Sequence, residues 1–444
     1  MKKQLTIEEK LQNALVPKEE QPYKIPSNWC WRILGEITSV IGGGTPSSKI
    51  NEYYDNGDIA WITPSDLSNY NNMYISKGKK MITKLGLMKS SAKLLPKGTV
   101  CLSSRAPIGY VVIAKNELST NQGFKSFLPS KVFKSEYLYW YLKSIKHILE
   151  AKASGTTFLE LSAKKAGEVE IPLPPINEQQ RIVNRIESLF VKLDRAKELI
   201  ENTLAQFEQN KMAILHKAFT GELTAKWRKE NNIDLSSWKK CELKEVFKVV
   251  KDKYNPQTEN QIVNYIGLEN IETSKGIISK NNSSEVKSIK TKFKKDDVLY
   301  GKLRPYLNKH DVVNFDGICS TDILVFRFND INTAKYINYY FNLPMFIQYA
   351  VENSSGINLP RVSEKTISKY KISLPTIEEQ QEIVNILDNL LAKYNKIKNL
   401  EQQLEKIELL KKAILAKAFR GELGTNNPDE ESAENLLKEI LAEK

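Results

Sequence analysis

Two lysine-rich stretches of this sequence have the chemistry to bind a polyanion. The first stretch contains Lys77, Lys79, Lys80 and Lys84, next to Asn71, Asn72 and Tyr74. The second contains Lys287, Lys290, Lys292, Lys294 and Lys295, and continues to Lys302, Arg304 and Tyr306. A cluster of lysine ammonium groups can contact the phosphates of a nucleic acid. The same residues are also common on an ordinary solvent-exposed surface. The sequence favours phosphate contact and leaves the solvated face open.

Three further side chains have the geometry to read nucleobases rather than phosphates. Arg105 directly follows Ser104, and its guanidinium can donate to guanine O6 and N7 together. Asn121 and Gln122 carry amides that can read adenine, although each can equally cap a loop. We therefore expect these three residues, together with Ser104, at a DNA-reading surface.

Motifs for catalysis are missing from the sequence. The run 42–45, GGGT, lacks the lysine and the following helix of a phosphate-binding loop, so we interpret it as a turn. The D/N/S-P-P-Y/F motif of amino-methyltransferases does not occur, and Asp296 and Asp297 with Lys302 suit a charged turn better than a nuclease cluster. The histidines and cysteines lack metal-ligand spacing: His147, His216, His310, Cys30, Cys101, Cys241 and Cys319. We expect no catalytic residue, no metal and no cofactor.

Composition narrows the class of protein. The 444 residues suggest two to four domains, and a hydrophobic content of 41% is enough for packed cores. No run of about 18 uncharged apolar residues occurs, and the first residues lack the apolar core of a signal peptide. Because the cysteines are also far apart, we expect a protein of the reducing cytoplasm. The net charge of +13 by itself points only weakly to a polyanion.

Internal repeats divide the chain into two copies of one unit. LPPINEQQRIV at 173–183 returns as LPTIEEQQEIV at 374–384, and AILHKAFTGEL at 213–223 returns as AILAKAFRGEL at 413–423. Weaker echoes pair SGTTFLELS with SGINLPRVS, and STNQ with STDI. Arg304-Pro305 aligns with Ala106-Pro107, so the arginine moves by one position between the copies. We expect that difference if the two copies read different bases.

The repeats predict six segments, and the charge excess follows their limits. The segments are an N-terminal helical part at 1–26, globular domains at 27–172 and 225–373, spacer helices at 173–224 and 374–424, and a C-terminal helical tail at 425–444. Residues 27–160 hold 17 basic and 9 acidic residues, and residues 236–365 hold 20 and 15, whereas the remainder holds 29 of each. A solubility effect has no reason to respect such limits, so both globular domains are predicted to bind nucleic acid.

Each spacer segment has the pattern of a long helix with a coiled-coil seam, because apolar residues recur in steps of three and four. The first seam is formed by Ile182, Ile186, Leu189, Leu193, Ile200 and Phe207. The second is formed by Ile383, Leu387, Leu390, Tyr394, Ile397 and Leu404. Two successive steps of three, at Tyr394, Ile397 and Leu400, predict a stammer that overwinds the coil. Connectivity makes the second helix run back along the first, which predicts an antiparallel pair in a pseudo-two-fold dumbbell.

The globular domains have the pattern of mixed α and β structure. Apolar runs such as DIAWIT, GTVCLS, YVVIA, DVLYG and DILVFRF are bounded by Gly, Pro, Asn and Asp, which is typical of strands. Helical periodicity covers 135–153 and 334–352, the second interrupted by Pro344. We predict the α+β class, with two mixed α/β domains joined by two long antiparallel coiled-coil helices.

The sequence resembles the specificity subunit of type I restriction-modification systems over nearly its whole length. The resemblance lies in the repeated LPPINEQQRIV and AFTGEL segments, in GGGTPSSKINEYYDNGDIAWIT, and in SRAPIGY followed by STNQGF. It implies a non-catalytic phage-defence subunit whose two target recognition domains each read one half of a split DNA target. It also implies the partners: double-stranded DNA, two methyltransferase subunits and, through the complex, restriction subunits, without a membrane.

Three alternatives stay open at this point. One is a coiled-coil scaffold whose end domains bind protein or RNA, although a scaffold needs no basic excess confined to both ends. Another is a methyltransferase or nuclease with an unrecognised site. The purified chain would then act on DNA by itself when supplied with S-adenosylmethionine or magnesium. The third is a specificity subunit of a methylation-only system, which neighbouring genes would distinguish.

Overall fold

The protein, described by a computed structural model, divides into two compact units. The structure describes residues 16–155, 159–259, 261–395, 398–435 and 438. Unit 1 comprises Met1–Glu198 with Gln403–Lys444, and unit 2 comprises Leu199–Gln402. Of the predicted helical segments at the two ends of the chain, the structure describes residues 16–26 of the first and residues 425–435 and 438 of the second. The six predicted segment limits stay predictions, since the two units divide the chain at other points.

Unit 1 is built from short helices and from strands that form a five-stranded sheet, a three-stranded sheet and a two-stranded pair. Its strands are β1 Cys30–Ile33, β2 Val40–Gly42, β3 Ile59–Ile62, β4 Tyr74–Ile75, β5 Lys80–Ile82, β6 Val100–Ser104, β7 Ile108–Ala114, β8 Ser119–Thr120, β9 Phe124–Phe127 and β10 Glu170–Leu173. Its globular part has helices α1 Leu34–Ile37, α2 Lys84–Met88, α3 Ser135–Ser144, α4 Lys146–Lys152 and α5 Ala163–Gly167.

The sheets of unit 1 explain its apolar runs. A five-stranded sheet has the order β2-β9-β6-β7-β4, a three-stranded sheet has the order β5-β3-β8, and β1 pairs with β10. Strand β6 is buried along its whole length, because helices cover one face of its sheet and the second sheet's core covers the other. Tyr137 and Leu138 of α3 pack in one core with Val100 and Leu102 of β6. The helical prediction for 135–153 is confirmed by α3 and α4.

Unit 2 repeats this plan with a four-stranded and a five-stranded sheet. Its strands are β11 Lys239–Glu242, β12 Phe247–Val249, β13 Lys253–Tyr254, β14 Asn264–Ile266, β15 Ile271–Glu272, β16 Gly276–Ile277, β17 Asn281–Asn282, β18 Lys290–Phe293, β19 Val298–Gly301, β20 His310–Val312, β21 Gly317–Cys319, β22 Ile323–Phe328 and β23 Lys371–Leu374. Its helices include α7 Ala225–Glu230, α8 Ile331–Tyr340, α9 Pro344–Glu352, α10 Glu364–Ser368 and α11 Ile377–Asn395. Sheet orders are β12-β22-β19-β20 and β13-β18-β21-β14-β17, with the pairs β11-β23 and β15-β16. Pro344 opens α9 at its first position, where proline is well tolerated.

Two long helical segments connect and complete the units. Helix α6 is continuous over Ile176–Phe219, and the second segment consists of α11 and α12, Lys398–Phe419. In unit 1 the Asp194 carboxylate lies 2.5 Å from Lys411, and Lys197 lies 3.6 Å from Glu408. From the first pair to the second the residue number rises along α6 and falls along α12, so the two helices run antiparallel. In unit 2 the last turns of α6 share a core with the first turns of α11. The predicted antiparallel pairing is therefore confirmed within each unit.

The predicted seam residues lie at different depths. Ile182, Ile186, Ile383 and Leu387 are buried, whereas the half-buried set is Leu189, Leu193, Ile200, Phe207, Leu390 and Leu404. Ile397 lies outside the described residues, and so does the side chain of Tyr394. The stammer and the role of the seam in spacing stay predictions.

A buried acid explains why the repeated segments keep a glutamate before their two glutamines. Glu178 accepts hydrogen bonds from the Trp29 indole at 3.0 Å and from the Thr425 hydroxyl at 3.3 Å. Its side chain is fully buried, and burial raises the pKa of Glu178 against the opposing effect of these hydrogen bonds. One carboxylate thereby holds together the start of the globular part, the start of α6 and the C-terminal tail of unit 1.

Unit 2 has the same arrangement with one added cation. Glu379 accepts hydrogen bonds from the Trp238 indole at 2.9 Å and from the Thr224 hydroxyl at 2.6 Å. The Arg228 guanidinium, also buried, lies 2.5 Å from the same carboxylate. We call the groups around Glu178 and Glu379 the two clamps. The repeated sequence segments are thus the parts of the chain that close each unit.

Glycines 43 and 44 serve close packing, in agreement with the structural interpretation of the GGGT run. A Cβ on Gly43 would lie 2.0 Å from the backbone oxygen of Asn121, and a Cβ on Gly44 would lie 2.1 Å from the backbone nitrogen of Ala92. The Trp61 indole donates to the Gly44 carbonyl at 3.1 Å. Only glycine fits at these two positions, because the backbone of another segment lies too close to each for a side chain.

Candidate nucleic-acid interface

The lysines of the first stretch lie on and around β5, an edge strand of the three-stranded sheet. Lys77, Lys79, Lys80 and Lys84 are all exposed. The backbone N–H of Lys79 donates to Asp66 Oδ1 at 2.9 Å, which fixes the turn before β5. Within the described part of the chain, no ion pair is formed by any of these four ammonium groups. Their charge is therefore available to an external anion.

The polar neighbours of this stretch differ in their availability. Asn71 and Asn72 are exposed. The Tyr74 hydroxyl donates to the Glu136 carboxylate, and burial together with this carboxylate raises the pKa of Tyr74. Tyr74 is thus held by its own domain, whereas the two asparagines face solvent.

The base-reading candidates of domain 1 lie around one carboxylate. Glu160 pairs with Lys125 at 3.0 Å and with Arg105 at 3.7 Å. The Lys125 ammonium, which is largely buried, also donates to the Ser104 hydroxyl at 3.4 Å. Arg105 keeps 36% of its side chain exposed. The structure therefore brings Ser104 and Arg105 together with two residues, Lys125 and Glu160, that the motif search did not single out.

Asn121 and Gln122 take separate roles beside this cluster. Asn121 Oδ1 accepts from the Gly123 backbone N–H at 2.9 Å, which is the loop-capping role. Gln122 is exposed, and Thr45 donates to its side-chain oxygen. Of the two amides, Gln122 is the one that faces solvent.

The lysines of the second stretch are partly engaged within their own domain. Lys292 pairs with Glu259 at 2.6 Å, and Lys290 donates to the Ser288 hydroxyl at 2.6 Å. The exposed members are Lys287, Lys294 and Lys295. The two stretches also occupy different places in their domains. The parallel pair β3-β8 of domain 1 corresponds to the parallel pair β14-β21 of domain 2. Strand β5 lies beside β3, whereas β18 lies beside β21, the strand equivalent to β8. Their similarity is one of composition and not of position.

The charged turn at 296–297 is structural. Arg327 binds Asp297 with two hydrogen bonds, from Nε at 2.8 Å and from Nη2 at 2.7 Å, and Asp297 is buried. Lys302 instead faces Asp322 at 4.0 Å. Asp297 and Lys302 therefore have different partners and do not form one cluster with Asp296. This agrees with the interpretation as a charged turn.

Of the remaining candidates of domain 2, Lys302 faces Asp322, and Arg304 and Tyr306 follow Lys302 in the chain. This carboxylate lies 3.2 Å from Arg361 Nε and 4.0 Å from the Lys302 ammonium. Arg304 is exposed, and its backbone N–H donates to the Pro360 carbonyl at 2.7 Å. Tyr306 is 53% exposed. Asp322 and Arg361 were not predicted from the sequence, although the STDI echo contains Asp322 and the SGINLPRVS echo contains Arg361.

Backbone pairing corrects one sequence alignment. The Asn121 N–H donates to the Ile62 carbonyl at 3.0 Å, and the Ser320 N–H donates to the Ile266 carbonyl at 2.9 Å. Ser320 therefore occupies the position of Asn121, two residues beyond the Ser119 to which the STNQ and STDI echo assigned it. The echo was wrong here because ladder hydrogen bonds, and not shared letters, set the register.

Other reactive side chains lie apart from these clusters. His310 is buried between Asn308 and Asn338, and burial lowers its pKa to about 4. His147 and His216 are exposed. Over the described residues, no three His, Cys, Asp or Glu side chains are grouped as metal ligands, and the four cysteines are free thiols. In the same part of the chain, no helix has both the length and the apolarity to cross a membrane.

Comparisons with known proteins agree on one family. The family model described as type I restriction modification DNA specificity domain matches residues 26–208 and 236–409. The type I restriction enzyme MjaIX specificity subunit of Methanocaldococcus jannaschii is 31% identical over 420 residues, which cover 91% of this chain and 96% of the relative. The EcoKI specificity subunit of Escherichia coli is 24% identical over 458 residues, which cover 95% of this chain and 96% of the relative.

Two solved structures share the fold. The crystal structure of an HsdS subunit from Thermoanaerobacter tengcongensis has a TM-score of 0.58 at 20% identity, covering 91% of this chain and all of that one. A chain from a structure of type I restriction-modification complex assembly and conformational transition has a TM-score of 0.68 at 21% identity, covering 90% of this chain and all of that one. At these identities the likeness concerns the fold alone.

Proposed function

The chain belongs to the DNA specificity subunits of type I restriction-modification systems, and from that premise we propose that its DNA face is formed by the exposed cations and mixed-charge clusters of its two domains. The family assigns it a non-catalytic role. It reads a bipartite DNA target, one half-site per domain, and assembles with two adenine-methyltransferase subunits and, through them, with restriction subunits.

The proposed assignment of the phosphate contacts rests on exposed lysines that form no ion pair among the described residues. Lys77, Lys79, Lys80 and Lys84 place four exposed ammonium groups on and around β5, and Lys80 also lies over the Tyr54 ring at 6.0 Å. Phosphate contacts of this kind position a protein on DNA without carrying sequence information. In domain 2 we assign the same role to the exposed Lys287, Lys294 and Lys295, and a weaker one to the engaged Lys290 and Lys292.

Base reading is assigned to the groups at the mixed-charge clusters. In domain 1 these are Arg105 and Gln122, with Ser104 and Asn121 shaping the loop around them. In domain 2 these are Arg304 and Tyr306, which are exposed, with Lys302 beside them. A guanidinium fork selects guanine, so the arginines are expected to contribute most to sequence preference.

Salt-dependent binding of the complex with its methyltransferase subunits tests this division. Lys79→Ala should weaken binding to cognate and scrambled duplexes alike and lower the salt slope by about 1. Arg105→Ala or Arg304→Ala should instead relax preference at one position of one half-site. Lys164→Ala is the matched control, because Lys164 is 88% exposed in domain 1 but pairs with Glu168 at 3.9 Å. If Lys79→Ala and Lys164→Ala give equal affinities and slopes, the assigned phosphate face is wrong.

We also propose a cytoplasmic location, because DNA is the target and the named relatives come from archaea and bacteria, whose DNA lies in the cytoplasm. Cell fractionation followed by immunodetection tests this. Recovery of the chain in the membrane or periplasmic fraction would contradict it.

A further inference from the structure

One loop position is built in the same way in both domains and carries opposite charges. Glu160 forms a backbone bridge with Ser154, and Arg361 forms the same bridge with Ser355. The next residue in each loop donates its N–H to an equivalent strand end: Leu161 to Ser104 at 2.9 Å, and Val362 to Lys302 at 3.0 Å. Glu160 and Arg361 therefore occupy one and the same place in the fold.

The partners of this position change sign with it. Glu160 is held by Lys125 and Arg105, whereas Arg361 is held by Asp322 at 3.2 Å. Glu160 keeps 41% of its side chain exposed and Arg361 keeps 43%. Ion pairs at such exposure add little to stability, so the fold itself has small need of them. The cluster thus orients a half-exposed charged group whose sign differs between the domains.

The loop also joins this position to the base-reading candidates. Arg105 contacts Glu160 directly in domain 1. In domain 2 the Arg304 N–H donates to the Pro360 carbonyl, one residue before Arg361. Carboxylates accept hydrogen bonds from the exocyclic amine of cytosine, whereas arginine donates to O6 and N7 of guanine. A reversal of charge at one position is what two domains need in order to read bases of opposite hydrogen-bonding character.

We propose that Glu160 and Arg361 are the paired specificity-determining residues of the two half-sites. Glu160 accepts a hydrogen bond from a base amino group, the N4 amine of cytosine, and Arg361 donates to a guanine. Lys125 and Asp322 are positioning residues that orient these side chains in the free protein. This inference rests on the proposed DNA face and adds to it two residues that its cation-based assignment did not contain.

Mapping of methylated adenines in cells that co-express the chain with its methyltransferase subunits tests the proposal. The wild-type complex should give a motif of two half-sites. Glu160→Gln should lose discrimination at one position of one half-site, and Arg361→Gln at one guanine of the other, each by about 5- to 150-fold. Controls of matched charge change are Glu168→Gln and Lys365→Gln, which should leave the motif unchanged.

The outcomes separate the possible failures. An unchanged motif in both variants, or a uniform loss of methylation at all sites with the motif intact, overturns the role of this position. If Arg361→Gln yields no folded complex, Arg361→Lys decides, because it keeps the charge beside Asp322 and loses the fork that reads guanine. Retention of full guanine preference in Arg361→Lys overturns the proposal. A proposed DNA face that is itself wrong shows differently, as unaltered salt slopes in Lys79→Ala.

Discussion

Exchanging the buried glutamates of the two clamps for glutamine should affect the two units to different extents. Glu178 and Glu379 occupy equivalent positions, and each accepts from one tryptophan indole and one threonine hydroxyl. The difference is Arg228, which lies against Glu379 and is itself buried. We predict that Glu379→Gln destabilises unit 2 much more than Glu178→Gln destabilises unit 1.

The magnitude follows from what each substitution leaves behind. Glu379→Gln leaves the Arg228 guanidinium buried without a counter-charge, and removing one partner of a buried pair costs about 3–5 kcal/mol. Glu178→Gln leaves no buried cation, since Arg181 pairs with Glu430 at 2.8 Å on a side chain that is 38% exposed. It loses one hydrogen bond, at about 1 kcal/mol. Burial already disfavours the charged form of Glu178, which keeps the cost small.

Hydrogen exchange measured segment by segment reads the two clamps separately within one chain. The free energy of local opening should fall by about 3–5 kcal/mol for 377–387 in Glu379→Gln, and by about 1 kcal/mol for 176–186 in Glu178→Gln. The double variant Glu379→Gln with Arg228→Met is the control and should recover most of the loss, because it removes the stranded charge. Equal losses in the two single variants would refute the role given to Arg228.

Three further predictions concern single sites. Burial lowers the pKa of His310 to about 4 from an ordinary 6.5, so the folded state binds its proton later than the unfolded state and stability falls as pH drops below about 6.5. Urea unfolding should show about 2 kcal/mol of that loss between pH 7 and pH 5, and His310→Gln should lack it; an unchanged pH dependence contradicts the burial argument. Gly44→Ala should lower the melting temperature of unit 1 by several degrees, whereas Gly42→Ala should not, because no atom lies within 4 Å of the added methyl. Inserting one residue between Ile397 and Leu400 should shift the spacer in the methylated motif or abolish assembly, and unchanged sites would refute a spacing role for the stammer.

Local patterns in the sequence predicted the elements well, because their causes are local. The run GTVCLS became β6 and the heptad steps became α6, since alternation and period report which face is buried. The repeats also indicated that the chain contains two copies of one unit. The acids of the two clamps, Glu178 and Glu379, belong to the repeated segments. The family resemblance in the same segments was confirmed by the comparisons.

Charge neutralisation over long sequence distances could not be predicted in the same way. Lys292 is engaged by Glu259, and Lys125 by Glu160, through folds of the chain that no period encodes. Glu160 could not be predicted from the basic composition either, because an acid on a basic surface does not have the expected sign. The pairing of the strands brings these distant residues together. Such contacts can be predicted only when the register of the strands is known.

The division of the chain into units has a consequence for the order of synthesis. Unit 2 is one continuous stretch, Leu199–Gln402, and a ribosome delivers all of it before the end of unit 1 exists. Unit 1 waits for Phe419, whose ring lies against Tyr137 and Tyr141, at 5.3 and 5.0 Å between centroids. The first domain to be translated is therefore the last to close, and until Phe419 has been synthesised the rings of Tyr137 and Tyr141 lack this partner, which makes an unfinished chain prone to aggregation.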